Sequence, residues 1–212
     1  MKKALLIFIC LTAVQLSAQT MVGAFIGLCN SDIYIKGYGN GDLLWKSGLS
    51  AGIQAEFFRK SNLTLVTELS YLQKGAKEKW EITTEQNPEG TRQMRTVYFH
   101  DDYLSLSALA KYRLPIKRWA PFIIAGPRMD QFITRQRSTY YQFVTDQKRN
   151  NTIIGLTAGL GVEYAFEKWM LFLRTSFQYD ITNSLEQFNV PSESLSLHNR
   201  AILLDIGAAI QL

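Results

Sequence analysis

Beyond position 20 the sequence has no run of about 18 uncharged apolar residues, so it offers no helix able to cross a bilayer. Helical spacing of apolar residues at three and four is nowhere sustained. Only two cysteines occur, Cys10 and Cys29, and only two histidines, His100 and His198. That inventory contains no metal-ligand cluster, and no metal or other cofactor is expected. Charge of one sign is also scarce. A formal +5, falling to +3 without Lys2 and Lys3, is too mild to imply a nucleic-acid partner.

The first residues, MKKALLIFICLTAVQLSAQT, place two lysines before an apolar stretch from Ala4 to Val14, then small and polar residues up to Ala18. This reads as a secretory signal peptide over 1–18, too short to span as a helix. Cys10 lies inside the apolar stretch without a small-residue lipobox and is not read as a lipid-attachment site. Cleavage after Ala18 removes 18 of 212 residues and leaves 194, a barrel domain over 19–212 that is exported beyond the inner membrane. Cys29 then has no thiol to pair with, so burial and backbone pairing must hold the fold.

Alternation with a period of two fills the rest of the chain. Eight strands are predicted, at about 21–31, 46–58, 62–76, 97–113, 120–134, 150–166, 169–182 and 197–212. The connections alternate strictly. RKS (59–61), PIKRWA (115–120) and EK (167–168) are short; those near 32–45, 77–96, 135–149 and 183–196 are long and polar. In an up-and-down meander this places every short turn at one rim and every long loop at the other, the asymmetry of outer-membrane barrels. The expected fold is all-β: an eight-stranded antiparallel up-and-down transmembrane β-barrel in the cell outer membrane.

Two faces run through the strands. One carries Leu49, Ile53, Leu65, Leu69, Leu104, Leu106, Ile154, Leu156, Leu171, Leu173, Ile202, Leu204 and Ile206. The other carries Glu56, Glu68, Lys74, Lys111, Arg113, Glu163, Arg174, Asp180 and Asp205 among Gly, Ser and Thr. The strand around PFIIAGPRMDQF is ambiguous, and Pro127 marks a bulge or distortion in it. Alternation alone does not say which face points inward; a soluble lipocalin-like ligand-binding barrel would reverse the two. The small residues among the charges suit a crowded lumen. Aromatics also gather at both strand ends: Phe57, Phe58, Tyr112, Trp119, Phe122, Tyr164, Phe166 and Trp169 near the short turns, and Trp45, Tyr71, Trp80, Tyr98, Phe132, Phe177 and Tyr179 near the long loops. Two girdles around an aliphatic band place the aliphatic face in lipid.

The interior of an eight-stranded barrel is just wide enough for side chains to fill it. Desolvating an unpaired charge costs several kcal/mol. Glu56, Glu68, Glu163 and Asp205 are therefore expected to form a lumen ion-pair and hydrogen-bond network with Lys111, Arg113 and Arg174, holding the barrel together rather than doing chemistry. An outer-membrane lipid-modifying enzyme would need a Ser, a His and an acid. Ser105 and Asp102 lie near His100, but in a strand His100 and Asp102 share one face and Ser105 takes the other. GYGNGD (37–42) lacks the Lys and helix of a phosphate loop. The basic-aromatic loop TRQRSTYYQFVTDQKRN could meet lipopolysaccharide phosphates, glycans or a partner protein.

TELSYLQKG (67–75), DDYLSLSALAKYRLP (101–115) and PFIIAGPRMDQF (121–132) resemble the PorT-like outer membrane β-barrel family of Bacteroidetes, with its E-L-x-Y-x-x-K-G strand, its Y-L-x-x-x-x-L-x-K-Y strand and its A-G-P segment. The resemblance implies a small OmpA-like outer-membrane barrel, and the family's namesake is linked to assembly of a protein-secretion system. The expected role is non-enzymatic, in contact with outer-membrane lipids and, through the long loops, with lipopolysaccharide or envelope and secretion proteins. Ser107 stands where the family usually has a proline, and the chain ends in Leu212 where outer-membrane barrels often end in an aromatic.

Overall fold

In the computed structural model of the chain, residues 20–36, 43–59, 62–81, 94–114, 116–136, 150–183 and 196–212 are described. The segment 1–18 expected to be a signal peptide, the GYGNGD stretch and most of the basic-aromatic stretch lie outside them. The strands are β1 (Met21–Lys36), the two-residue β2 (Leu43–Leu44), β3 (Lys46–Phe57), β4 (Leu63–Glu81), β5 (Met94–Arg113), β6 (Trp119–Gln136), β7 (Thr152–Phe166), β8 (Trp169–Asp180) and β9 (Ser196–Gln211). β2 and β3 pair with the same neighbour, β4, and act as one wall strand interrupted at Trp45.

β1 pairs antiparallel with β3, each strand from β3 on pairs antiparallel with the next, and β1 pairs with β9 from Met21↔Gln211 to Lys36↔Ser196. The sheet is thereby a closed barrel of eight walls, with no free edge to present to lipid. From Gly23 the ladder passes through Gln54, Glu68, Ser107, Arg128, Gly155 and Asp180, and meets β1 again near Ile33. That climb of about ten residues in one circuit is the stagger a tilted eight-stranded barrel requires.

The short turns are tight because single residues accept left-handed backbone: Lys117 at φ 59° and Glu167 at φ 35° open two-residue hairpins, and Phe58 at φ 62° ends β3. At the opposite rim the strands run further than the sequence predicts. β4 and β5 stay paired up to Glu81↔Met94, so part of the span from 77 to 96 is hairpin rather than loop. Backbone pairing needs no hydrophobic alternation, and the sequence pattern fades where the wall leaves the membrane.

The aliphatic face points outward. Ile26, Leu28, Ile53, Leu106, Ile123, Leu156, Leu160, Leu173, Leu204 and Ile206 are among the exposed side chains, while Glu56, Asp130, Asp180 and Asp205 are fully buried. The soluble, apolar-core alternative is thereby overturned. Two aromatics expected in the girdles are corrected: Phe122 is buried in the lumen, and Phe132 packs against a lumen cluster. β6 puts Ile123, Ala125, Pro127, Met129 and Gln131 outward and Phe122, Ile124, Arg128 and Asp130 inward. Pro127 interrupts the ladder to β5 without shifting its register. The register shift lies instead between Asp102 and Tyr103, opposite Phe132 and Thr134.

Candidate functional site in the barrel lumen

Inward positions alternate along every strand, so each wall delivers its polar side chains into the same narrow space. They assemble in three tiers. Nearest the short turns, Lys111 Nζ of β5 lies 2.7 Å from Glu56 Oε1 of β3 and 2.6 Å from Glu163 Oε2 of β7. Arg113 reaches Glu163 at 3.4 Å, and Gln54 Nε2 donates to Glu56 at 3.3 Å. Arg59, in the turn after β3, folds back under this tier. It pairs with Glu163 at 2.9 Å and Glu56 at 3.6 Å, beside the sulfurs of Met21 and Met170.

In the middle tier, Arg174 of β8 forks between Glu68 of β4 and Asp205 of β9, the latter at 3.0 Å. Nearest the long loops, Lys74 of β4 reaches Asp130 of β6 at 2.7 Å, and Arg128 of β6 pairs with Asp130 and, at 2.5 Å, with Asp180 of β8. Asn199 Nδ2 donates to Asp180 at 2.7 Å. Lys111, Arg174, Lys74 and Arg128 thus each tie together strands that are not neighbours in the wall.

Taken together, and among the described residues, the three tiers set six acids, Glu56, Glu68, Asp130, Glu163, Asp180 and Asp205, against six bases, Arg59, Lys74, Lys111, Arg113, Arg128 and Arg174, with one extra cation in the lowest tier offset by one extra anion in the middle. Lys46, Asp101 and Asp102 are buried toward the long loops as well. Aromatic rings fill in around the cations. Lys111 Nζ sits 4.3 Å from the Phe122 ring centre, Arg174 5.0 Å from Phe25, and Lys74 5.5 Å from Tyr103. Apolar layers separate the charges: Met21, Phe25, Val66, Leu109, Phe122, Ile124, Met170, Phe172 and Ala209 below, and Cys29, Leu72, Tyr103, Ile153, Ala201 and Leu203 above. Inward glycines provide the room. A Cβ on Gly155 would strike the Arg128 guanidinium, and one on Gly207 the Phe172 ring.

All seven residues singled out from the sequence, Glu56, Glu68, Lys111, Arg113, Glu163, Arg174 and Asp205, lie within the two lower tiers, and the ion pairs above join them. The network extends beyond them to Lys74, Asp180, Arg128, Asp130 and Arg59. Lys74 and Asp180 were visible on the polar face. Arg128 and Asp130 share even parity but were hidden by the ambiguity at Pro127, and Arg59 sits in a turn, where no periodicity applies. Ser105 points into the lumen and is fully buried; His100 and Asp102 have the opposite parity in β5, His100 half-buried and Asp102 buried, so the strand does not bring the three together as a Ser-His-acid triad.

A closed barrel with a lipid-facing aliphatic wall and a salt-bridged interior defines a small eight-stranded outer-membrane barrel protein. The chain belongs to the outer membrane protein beta-barrel domain family, whose model matches residues 16–186. Its fold is shared with solved barrels of low sequence identity. Neisserial surface protein A is 15% identical, with a TM-score of 0.53 over 92% of this chain and 98% of that one. The outer membrane protein OprG from Pseudomonas aeruginosa is 11% identical, with a TM-score of 0.53 over 92% and 97%. Outer Membrane Protein W of E. coli is 12% identical, with a TM-score of 0.50 over 92% and 97%. No curated protein matches the sequence.

Proposed function

We propose that this barrel is a non-enzymatic member of the PorT-like branch, acting by contact at its rims in envelope assembly, secretion or surface attachment rather than by conducting solutes. The observation that carries this reading is the lumen. Paired charges bridge it at three heights with apolar layers between, leaving the long loops and the short-turn rim as the surfaces free to meet partners such as lipopolysaccharide or envelope and secretion proteins. Near balance between buried acids and bases also leaves little net field to draw ions of one sign.

The test is reconstitution in planar bilayers beside turnover assays on outer-membrane lipids. The expected result is no stepwise conductance and no lipid hydrolysis or acyl transfer. Sustained open-channel steps would overturn the filled-lumen reading, and an activity abolished by His100→Ala would overturn the non-enzymatic one.

A further inference from the structure

A second set of charged side chains lies on the outer wall just below the long-loop rim, and the inference drawn from it rests on the reading above that this rim meets envelope partners. β9 turns Ile206, Leu204 and Ile202 outward, followed toward the long loops by Arg200 and His198. β1 changes character at the same height. Leu28 pairs with Leu204, Asn30 with Ile202, Asp32 with Arg200 and Tyr34 with His198. Adjacent strands thus pass together from aliphatic to polar where the wall leaves the hydrocarbon on the long-loop side, which in outer-membrane barrels is the outside.

The arrangement there is built rather than incidental. Arg200 Nε donates to Asp32 Oδ1 at 3.0 Å and Nη2 to Oδ2 at 2.5 Å, with Asp32 buried and the arginine side chain 35% exposed. The guanidinium lies 5.2 Å from the Tyr34 ring centre and 5.9 Å from that of Trp45. His198 stacks on Tyr179 at 5.9 Å with 10° between the planes, and its Nδ1–H donates to the Asp180 carbonyl at 3.0 Å. An ionisable residue on a lipid-facing wall calls for a named partner. Asp32 takes the Nε–Nη2 edge of the guanidinium and fixes its orientation, and Nη1 is not part of that pair.

We propose that Arg200, oriented by Asp32 and flanked by Tyr34, Trp45 and His198, is a binding site for the phosphorylated sugar headgroup of an outer-leaflet glycolipid. An arginine edge matches a phosphate with paired, charge-assisted hydrogen bonds. The aromatic faces suit the apolar faces of a sugar ring, and the Ile202–Leu204–Ile206 column below lies where acyl chains would run.

The full barrel is placed in phosphatidylcholine nanodiscs doped with bisphosphorylated lipid A or with the same lipid stripped of phosphate, and the lipid retained per barrel is counted by native mass spectrometry. Phosphorylated lipid should be retained over the stripped form by about tenfold, as for loss of one charge-assisted contact. Asp32→Asn with Arg200→Gln, which removes both charges together, should erase the preference while heat-modifiable gel mobility reports an intact barrel. Lys117→Gln, a basic position at the opposite rim, should preserve it. Equal retention of both lipids by the unmodified barrel, or an undiminished preference in the double variant, would overturn the site. Displacement of the lipid by millimolar inorganic phosphate would assign the site to a free anion and overturn the lipid reading.

Discussion

At the scale of single residues, the lumen leaves two positions with little choice. Gly75 has φ 140°, and a Cβ there would fall on the Phe99 carbonyl. Its N–H donates to Ser31 Oγ at 2.9 Å, and that hydroxyl donates back to the Gly75 carbonyl at 3.0 Å, joining β4 to β1 across the stretch where the β3–β4 ladder is interrupted. Gly75→Ala is expected to cost about 1–3 kcal/mol from backbone strain alone, read as a lower urea midpoint for unfolding from lipid vesicles. Arg174 is constrained by charge instead. Arg174→Met strands Glu68 and Asp205 in a buried space and should cost about 3–5 kcal/mol. Neutralising all three, with Glu68→Gln and Asp205→Asn added, should restore most of the loss in the same assay, since the cost lies in uncompensated charge. A triple variant no more stable than Arg174→Met would show that the fork matters for its shape.

At the scale of the strand, the outward column of β9 makes the lipid interface a quantitative claim. Leu204 is half exposed and pairs with Leu28 on one side and Thr175 on the other, within the aliphatic band. Leu204→Arg should destabilise the inserted barrel by about 2–4 kcal/mol, as for a cation at the bilayer midplane; equilibrium unfolding in vesicles measures it, and a loss below 1 kcal/mol would move Leu204 to the interface. β9 was legible because its two faces differ in chemistry, Ile202, Leu204 and Ile206 against Asp205 and Gly207. β6 was not. Its inward Phe122 and Ile124 are as apolar as its outward Ile123 and Met129, because the lumen alternates charged tiers with apolar layers. Alternation reads a face only where inside and outside differ. The resemblance motifs gain a physical content here: Glu68, Lys74, Gly75 and Lys111 are the Arg174 partner, an upper-tier cation, the left-handed position of β4 and the lowest cross-brace. What stayed hidden was partnership. Arg128 meets Asp180 across 52 positions of sequence and Arg200 meets Asp32 across 168, and no local pattern announces pairs set by the stagger of a closed sheet.

At the scale of the whole molecule, closure rests on one long-range seam. β1 and β9 lie at opposite ends of the chain yet pair over their full lengths, as neighbouring hairpin strands do, and Leu212 N–H donates to the Thr20 carbonyl at 3.0 Å. The barrel therefore has no privileged opening: the seam differs from the other walls only in lacking a covalent connection. Joining residue 212 to residue 20 through a short glycine-rich linker and opening the chain within 137–149 converts the seam into a hairpin and a former hairpin into the seam. Every ladder and all three lumen tiers are conserved by that change. The permuted chain should insert into vesicles, keep its heat-modifiable mobility and unfold within about 1 kcal/mol of the original, as permutation at neighbouring termini is generally tolerated. Its folding rate is the quantity expected to move, because the costliest loop closure, β1 onto β9, becomes local. A permutant that inserts but loses several kcal/mol would show that the β6–β7 connection contributes contacts beyond its ladder. One that never inserts would show that assembly depends on the order in which the walls are presented.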